Sequence, residues 1–173
     1  MPDSDILRGS RSVRTLECMS VRTALLAVAL LVLGLALVAP HRSSQKSPYY
    51  ADLVRTPGVI NPDVTQANIA STICEQGWTK TIRPPTDYTN ALKVKQMREY
   101  GVGGELSDYQ EDHLISLELG GHPTDPRNLW PEPYPRAARV DAVENELNAK
   151  VCDGSLTLAQ AQLEESVLKH TQG

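Results

Sequence analysis

The sequence predicts a small α+β domain behind an apolar leader. Three observations carry the prediction: an unbroken apolar run near the N-terminus, later segments with helical apolar spacing, and two short β-prone runs separated by a glycine- and proline-containing loop. The chain's 173 residues suit one modest domain plus a leader. It has no Phe, so the core must rest on Leu, Val, Ile, Tyr and the two tryptophans.

The leader divides into a polar stretch, 1–22, and an apolar run, 23–40, closed by Pro40 and His41. Residues 23–39 would make roughly 25 Å of helix, at the lower margin for a bilayer core of about 30 Å. Arg8, Arg11, Arg14 and Arg22 precede the run, so the C-terminal part is expected outside the cytoplasm. A signal peptide cleaved near Ala39 and a retained transmembrane helix both stay open, since Leu37-Val38-Ala39 fits the small-x-small rule poorly. A start at Met19 would give a compact signal peptide and make 1–18 an over-extended start. The expected location is exported, either anchored to the outer side of a membrane or secreted. Residues 41–55 read as a polar linker, and 56–173 as the domain.

The net charge is −4, and the four Arg and three acidic residues of the leader leave the remainder more acidic still. Such a domain gains nothing from long-range steering toward nucleic acid. That argues against a tight non-specific DNA binder, but not against an enzyme working through a metal and a local basic patch. Cys18 precedes the apolar run. Cys74 and Cys152 lie in the exported part, where an even pair suggests one disulfide; two buried thiols are the alternative. Neither has a second Cys or His at zinc-knuckle spacing.

Within the domain, apolar residues at 64, 67, 69, 70, 73 and 74 predict a short helix over 64–74, with Asn61 or Asp63 as its cap. Residues 78–83 alternate and predict a strand stopped by Pro84-Pro85. A helix is expected over about 88–100, opened by Thr86 or Asp87 and ended by Gly101. This region is locally basic. Its bland reading is a solvated face, and its sharper one is a phosphate-contacting surface formed by Lys80, Arg83, Lys93 and Lys95. Residues 113–119 then predict a strand, 120–126 a loop and 128–130 a second strand. A helix over about 137–151 follows, and a last helix runs from Ser155 or Thr157 to about Lys169.

The segment Glu111-Asp112-His113-Leu114-Ile115-Ser116-Leu117-Glu118-Leu119-Gly120-Gly121, followed by Asn128-Leu129-Trp130-Pro131, carries the chemistry. It resembles the HNH endonuclease motif, in particular small exported bacterial HNH-like proteins. The segment from Thr56-Pro57-Gly58 to Arg83-Pro84-Pro85 is similar to that group too. The resemblance implies a ββα-metal finger packed by several helices, a nucleic-acid substrate and a divalent metal (Mg, Mn or Zn). In it, His113 is the general base, Asp112 a metal ligand, and Asn128 the residue that orients His113 across the turn. A near-neutral imidazole suits proton abstraction from water, and a cation suits the charge on a phosphodiester's leaving oxygen. Asp112 and His113 are strand neighbours, so strand-end geometry must let both reach one site. Gly120-Gly121 is expected to permit a tight hairpin turn.

The family usually has a His or Asn early in the helix as its last ligand. Ala137 and Ala138 stand near that place, leaving Asp141, Glu144 and Asn145, of which Glu144 is the favoured ligand. The family also commonly has Pro where Ser116 stands. His122 reads as a loop residue, Trp130 as core, and Glu111 and Glu118 as solvated. Three functions follow. The first is an exported metal-dependent endonuclease acting on DNA or RNA. The second is a degenerate scaffold that has lost the chemistry. The third is an envelope binding module using the basic face.

Overall fold

The structure, a computed structural model, describes residues 50–171. The expected leader and apolar run, Cys18 and most of the expected linker lie outside the described residues. Among the described residues no helix is long and apolar enough to cross a membrane. The last residues of the expected linker already belong to the fold: Ala51 is buried, its amide donates to the Lys169 carbonyl, and the Asp52 amide donates to the Tyr100 hydroxyl.

The architecture is α+β. A 3-10 segment, Gln66–Ser71, comes first. It is followed by α1 (Trp78–Ile82), α2 (Thr86–Tyr100), β1 (Tyr109–His113), β2 (Leu129–Pro133), α3 (Arg136–Cys152) and α4 (Leu158–Thr171). The strands form a two-stranded antiparallel sheet that pairs Asp112 with Trp130 and His113 with Leu129.

Several expectations move. Residues 78–82 are helical rather than a strand. Gly77, in the left-handed conformation at φ 84°, starts this turn, and Trp78 packs on the core, so packing overrides the β propensity of Trp, Thr and Ile. The expected helix over 64–74 is only a 3-10 segment. The first strand lies earlier than the apolar run suggests, over the polar residues 109–113, while Leu117–Leu119 form a 3-10 turn. The second strand runs on through Pro131, which pairs with Glu111 at this sheet edge. The helices over 86–100, 136–152 and 158–171 match their periodicity to within a few residues.

No tight hairpin joins the strands. The connection winds through two 3-10 turns, and Gly120-Gly121 serve close approach instead. A Cβ on Gly121 would overlap the Ile115 carbonyl oxygen. Gly120, at φ 75°, would crowd Val64.

The main core joins Val64, Ile73, Ile115 and Leu119 to Leu147 and Val151 of α3 and to Leu158 and Ala161 of α4. A second cluster holds Ala51, Leu114 and the fully buried Trp130, with Tyr100 against it. The Cys74–Cys152 disulfide ties the segment before α1 to the end of α3, with a Cα–Cα distance of 5.6 Å. At the other end of α3, Arg136 pairs with buried Glu132, lies over the Trp130 ring and donates to the Leu168 carbonyl, fixing α3 and α4 against β2.

Candidate functional site

The site forms where β1 ends and α3 and α4 pass beside it. A cleft of about 320 Å³ is lined by Asp112 and His113 of β1, Ser116 of the following loop, Asp141 and Glu144 of α3, and Arg83 just after α1. The strand-end position lets Asp112 and His113 share one cleft although they are neighbours.

Asp112, Asp141 and Glu144 each bring a carboxylate oxygen within 4.8 Å of the others. Asp141 and Glu144 are three residues apart on α3 and share its inner face. Burial raises the Glu144 carboxyl well above its ordinary range, partly offset by Lys169, and burial followed by Asp112 raises Asp141. Several of these oxygens already have protein donors. Gln110 Nε2 donates to Asp112 Oδ1 at 3.2 Å and also hydrogen-bonds Asp141. Behind them, the fully buried Lys169 ammonium donates to Asp112 Oδ2 (2.7 Å), Glu144 Oε1 (2.5 Å) and the His113 carbonyl (2.5 Å). Glu165 Oε1 lies 3.3 Å from the same nitrogen, and the Glu165 carboxylate also accepts from the Ser116 amide at 3.0 Å. Burial pushes Glu165 up to about 7. Burial would depress Lys169, but Asp112, Glu144 and Glu165 together hold its pKa above that of a free lysine.

His113 Nε2 lies 3.0 Å from the Pro123 carbonyl oxygen. A carbonyl can only accept, so Nε2 carries the proton, and in the neutral ring Nδ1 keeps the lone pair. Burial lowers the His113 pKa, which favours this neutral form. Asn128 does not bond the ring. It is buried just before β2, where its carboxamide exchanges two hydrogen bonds of 3.0 Å with the Ile115 backbone. It also donates to the His122 carbonyl, one residue before Pro123. It therefore holds the backbone that holds His113. His122 is a loop residue whose Nδ1 accepts from the Thr124 and Asp125 amides.

The expected phosphate-contacting surface divides. Arg83 lines the cleft. Lys80 is exposed on α1, and Lys95 is exposed beside Glu99 at 3.5 Å. Lys93 is a correction: it is buried under α2, where its ammonium donates to the Leu106 and Tyr109 carbonyls at 2.9 and 2.8 Å, so it faces no ligand. Glu111 is also not a solvated residue. Both its oxygens are buried without a hydrogen-bond partner among the described residues, and burial pushes it up to about 8.

Sequence reasoning missed Lys169, Glu165 and Gln110. Glu165 and Lys169 stand four residues apart on a helix, a spacing that usually marks a solvated pair. Yet α4 turns them inward and leaves Leu163 and Val167 exposed, an inversion that the spacing of charges does not signal.

The chain matches no family model, no curated protein and no solved structure.

Proposed function

We propose that this chain is an exported, divalent-metal-dependent endonuclease of HNH-like type that hydrolyses phosphodiester bonds of DNA or RNA. One observation carries the reading: a buried imidazole with its lone pair on Nδ1 stands in the same cleft as three clustered carboxylates. The order β1, glycine-bearing loop, β2, α3 supports a ββα-metal finger, as do the Asp112-His113 and Asn128 positions. The third ligand departs from the family's pattern, with Asp141 about one turn and Glu144 about two turns beyond Ala137.

The donor set fits a hard cation. Carboxylate oxygens suit Mg²⁺ or Mn²⁺ better than Zn²⁺. Asp112, Glu144 and Glu165 share one ammonium and Asp141 stands beside them, so carboxyl groups outnumber cationic side chains at the centre even with Arg83 on the cleft wall. Ser116 Oγ is buried beside the cleft with no hydrogen-bond partner among the described residues, as expected for a side chain that meets a bound water or phosphate oxygen. Asp112, Asp141 and Glu144 would hold the ion, with the Gln110 amide giving way. The bound ion would supply Lewis-acid stabilisation of charge on the phosphoryl and leaving oxygens. His113 Nδ1 would take the proton of the attacking water, while Pro123 fixes the ring. Arg83 would neutralise a non-bridging phosphate oxygen.

The full chain, with its disulfide formed, should be incubated with supercoiled plasmid and with single-stranded RNA in Mg²⁺, Mn²⁺ or chelator. Chelator-sensitive cleavage of either substrate supports the reading, and intact substrates in saturating metal reject it. One observation favours a second reading, a catalytically degenerate exported scaffold that binds an envelope component: Lys169 and Gln110 already satisfy carboxylate oxygens. Binding of anionic polymer without turnover, lost on charge reversal of Lys80 and Arg83, would identify it.

A further inference from the structure

We infer that Lys169 is a positioning residue, a built-in counter-charge that assembles Asp112 and Glu144 before any ion arrives and sets how tightly that ion is held. The inference rests on the metal-centre reading above. An ammonium has three protons, and all three have close acceptors in the Asp112 and Glu144 carboxylates and the His113 carbonyl. Lys169 is thus saturated from behind the cleft and has no donor left for substrate. It grips one oxygen of each carboxylate and the backbone of the proposed base at once. In this way a helix at the far end of the chain locks both residues at the end of β1.

The construction of α4 points the same way. Its inward face carries Leu158, Ala161, Glu165 and Lys169, while Leu163 and Val167 face solvent. Burying an ion pair in place of apolar side chains gains little stability and often costs it. A helix serving only to cover the core would turn Leu163 and Val167 inward. Glu165 completes the device, since its carboxylate contacts both the ammonium and the Ser116 amide.

The sign of the effect follows from charge. An ion bound by Asp112 and Glu144 would share their carboxylates with the ammonium and be repelled by it at short range. Removing that repulsion should outweigh the freedom regained by two carboxylate side chains. A more negative centre would in turn resist an anionic phosphodiester. Lysine here would sacrifice metal affinity for turnover.

The test uses the full chain as wild type, Lys169→Gln and Lys169→Arg, with Mn²⁺ as the probe. Mn²⁺ affinity is read by calorimetry, Tm with and without Mn²⁺ by circular dichroism, and plasmid cleavage as kcat and KM. The expected result for Lys169→Gln is Mn²⁺ affinity at least about tenfold tighter, a larger Mn²⁺-induced rise in Tm and slower cleavage. Lys169→Arg should return the affinity toward wild type. A Lys169→Gln chain that folds only with Mn²⁺ supports the inference, because the ion then replaces the ammonium. Unchanged or weaker Mn²⁺ affinity in a folded Lys169→Gln chain, or a chain still unfolded in saturating Mn²⁺, overturns it while the metal centre stands. Wild type that binds no Mn²⁺ overturns the metal centre itself, and this inference with it.

Discussion

His113 directs its Nε2 at the carbonyl oxygen of Pro123, 3.0 Å away. This contact decides which nitrogen can act as a base, and burial then keeps the ring neutral by lowering its pKa from the ordinary 6.5. Cleavage that needs neutral His113 should persist below pH 6.5 and fall only as the pH drops through the lowered value. The acid limb of kcat/KM against pH checks this; a limb centred above 6.5 speaks against a buried neutral base.

Asn128 secures the same loop through the Ile115 backbone and the His122 carbonyl. Asn128→Ala would strand several buried backbone groups. It should destabilise the fold by about 3 kcal/mol or more, at about 1–3 kcal/mol per unpaired group, and lower cleavage with it. Urea unfolding measures the loss; a change under about 0.5 kcal/mol would show that the loop holds without Asn128.

The three longer helices, 86–100, 136–152 and 158–171, are legible from their helical patterning, and the disulfide because only two cysteines follow the leader. The strands are not. Residues 109–113 are polar, so β1 gives no apolar signal, and the apolar run predicts the strand over 113–119 instead, where all but His113 lie in loop and 3-10 turn and Leu114, Ile115 and Leu119 pack into the two cores. Motif and spacing foreshadow the convergence of Asp112, His113 and Glu144 on one cleft. They do not foreshadow Lys169, because its site exists only once α4 folds back on β1. Lys93 misleads for the opposite reason: a lysine in a basic run reads as surface, whereas its ammonium caps two carbonyls beneath α2.

The Cys74–Cys152 bridge spans 78 residues. In the chain-entropy account a loop of this size is worth about 4.5 kcal/mol, so Cys74→Ser with Cys152→Ser should lower stability by several kcal/mol. Equilibrium unfolding of the oxidised protein and the double variant measures it, and equal midpoints would contradict a stabilising role.

Glu111 gives a pH signature in stability. Its folded-state carboxyl is raised from 4.5 to about 8 by burial, so the folded chain holds a proton that the unfolded chain releases. The stability from this group is full below about 4.5 and is lost as pH rises toward about 8. Glu111→Gln should flatten that decline and leave the variant more stable than wild type at pH 9. Thermal melts across pH 5–9 check it; parallel curves for the two proteins would remove Glu111 as the cause.

Asp141 should separate binding from proton transfer. Asp141→Asn removes one of the three clustered carboxylates and should weaken Mn²⁺ binding at least about tenfold. Calorimetry reads this directly, and wild-type affinity in the variant would exclude Asp141 from the centre.

The central claim is that His113 is the base of a metal-dependent phosphodiesterase. The most direct measurement is the plasmid cleavage rate of His113→Ala against wild type, both at saturating Mn²⁺. The account predicts a loss of about 10²–10⁴-fold with Mn²⁺ still bound. Equal rates for the two proteins, or no cleavage by metal-loaded wild type, would contradict it.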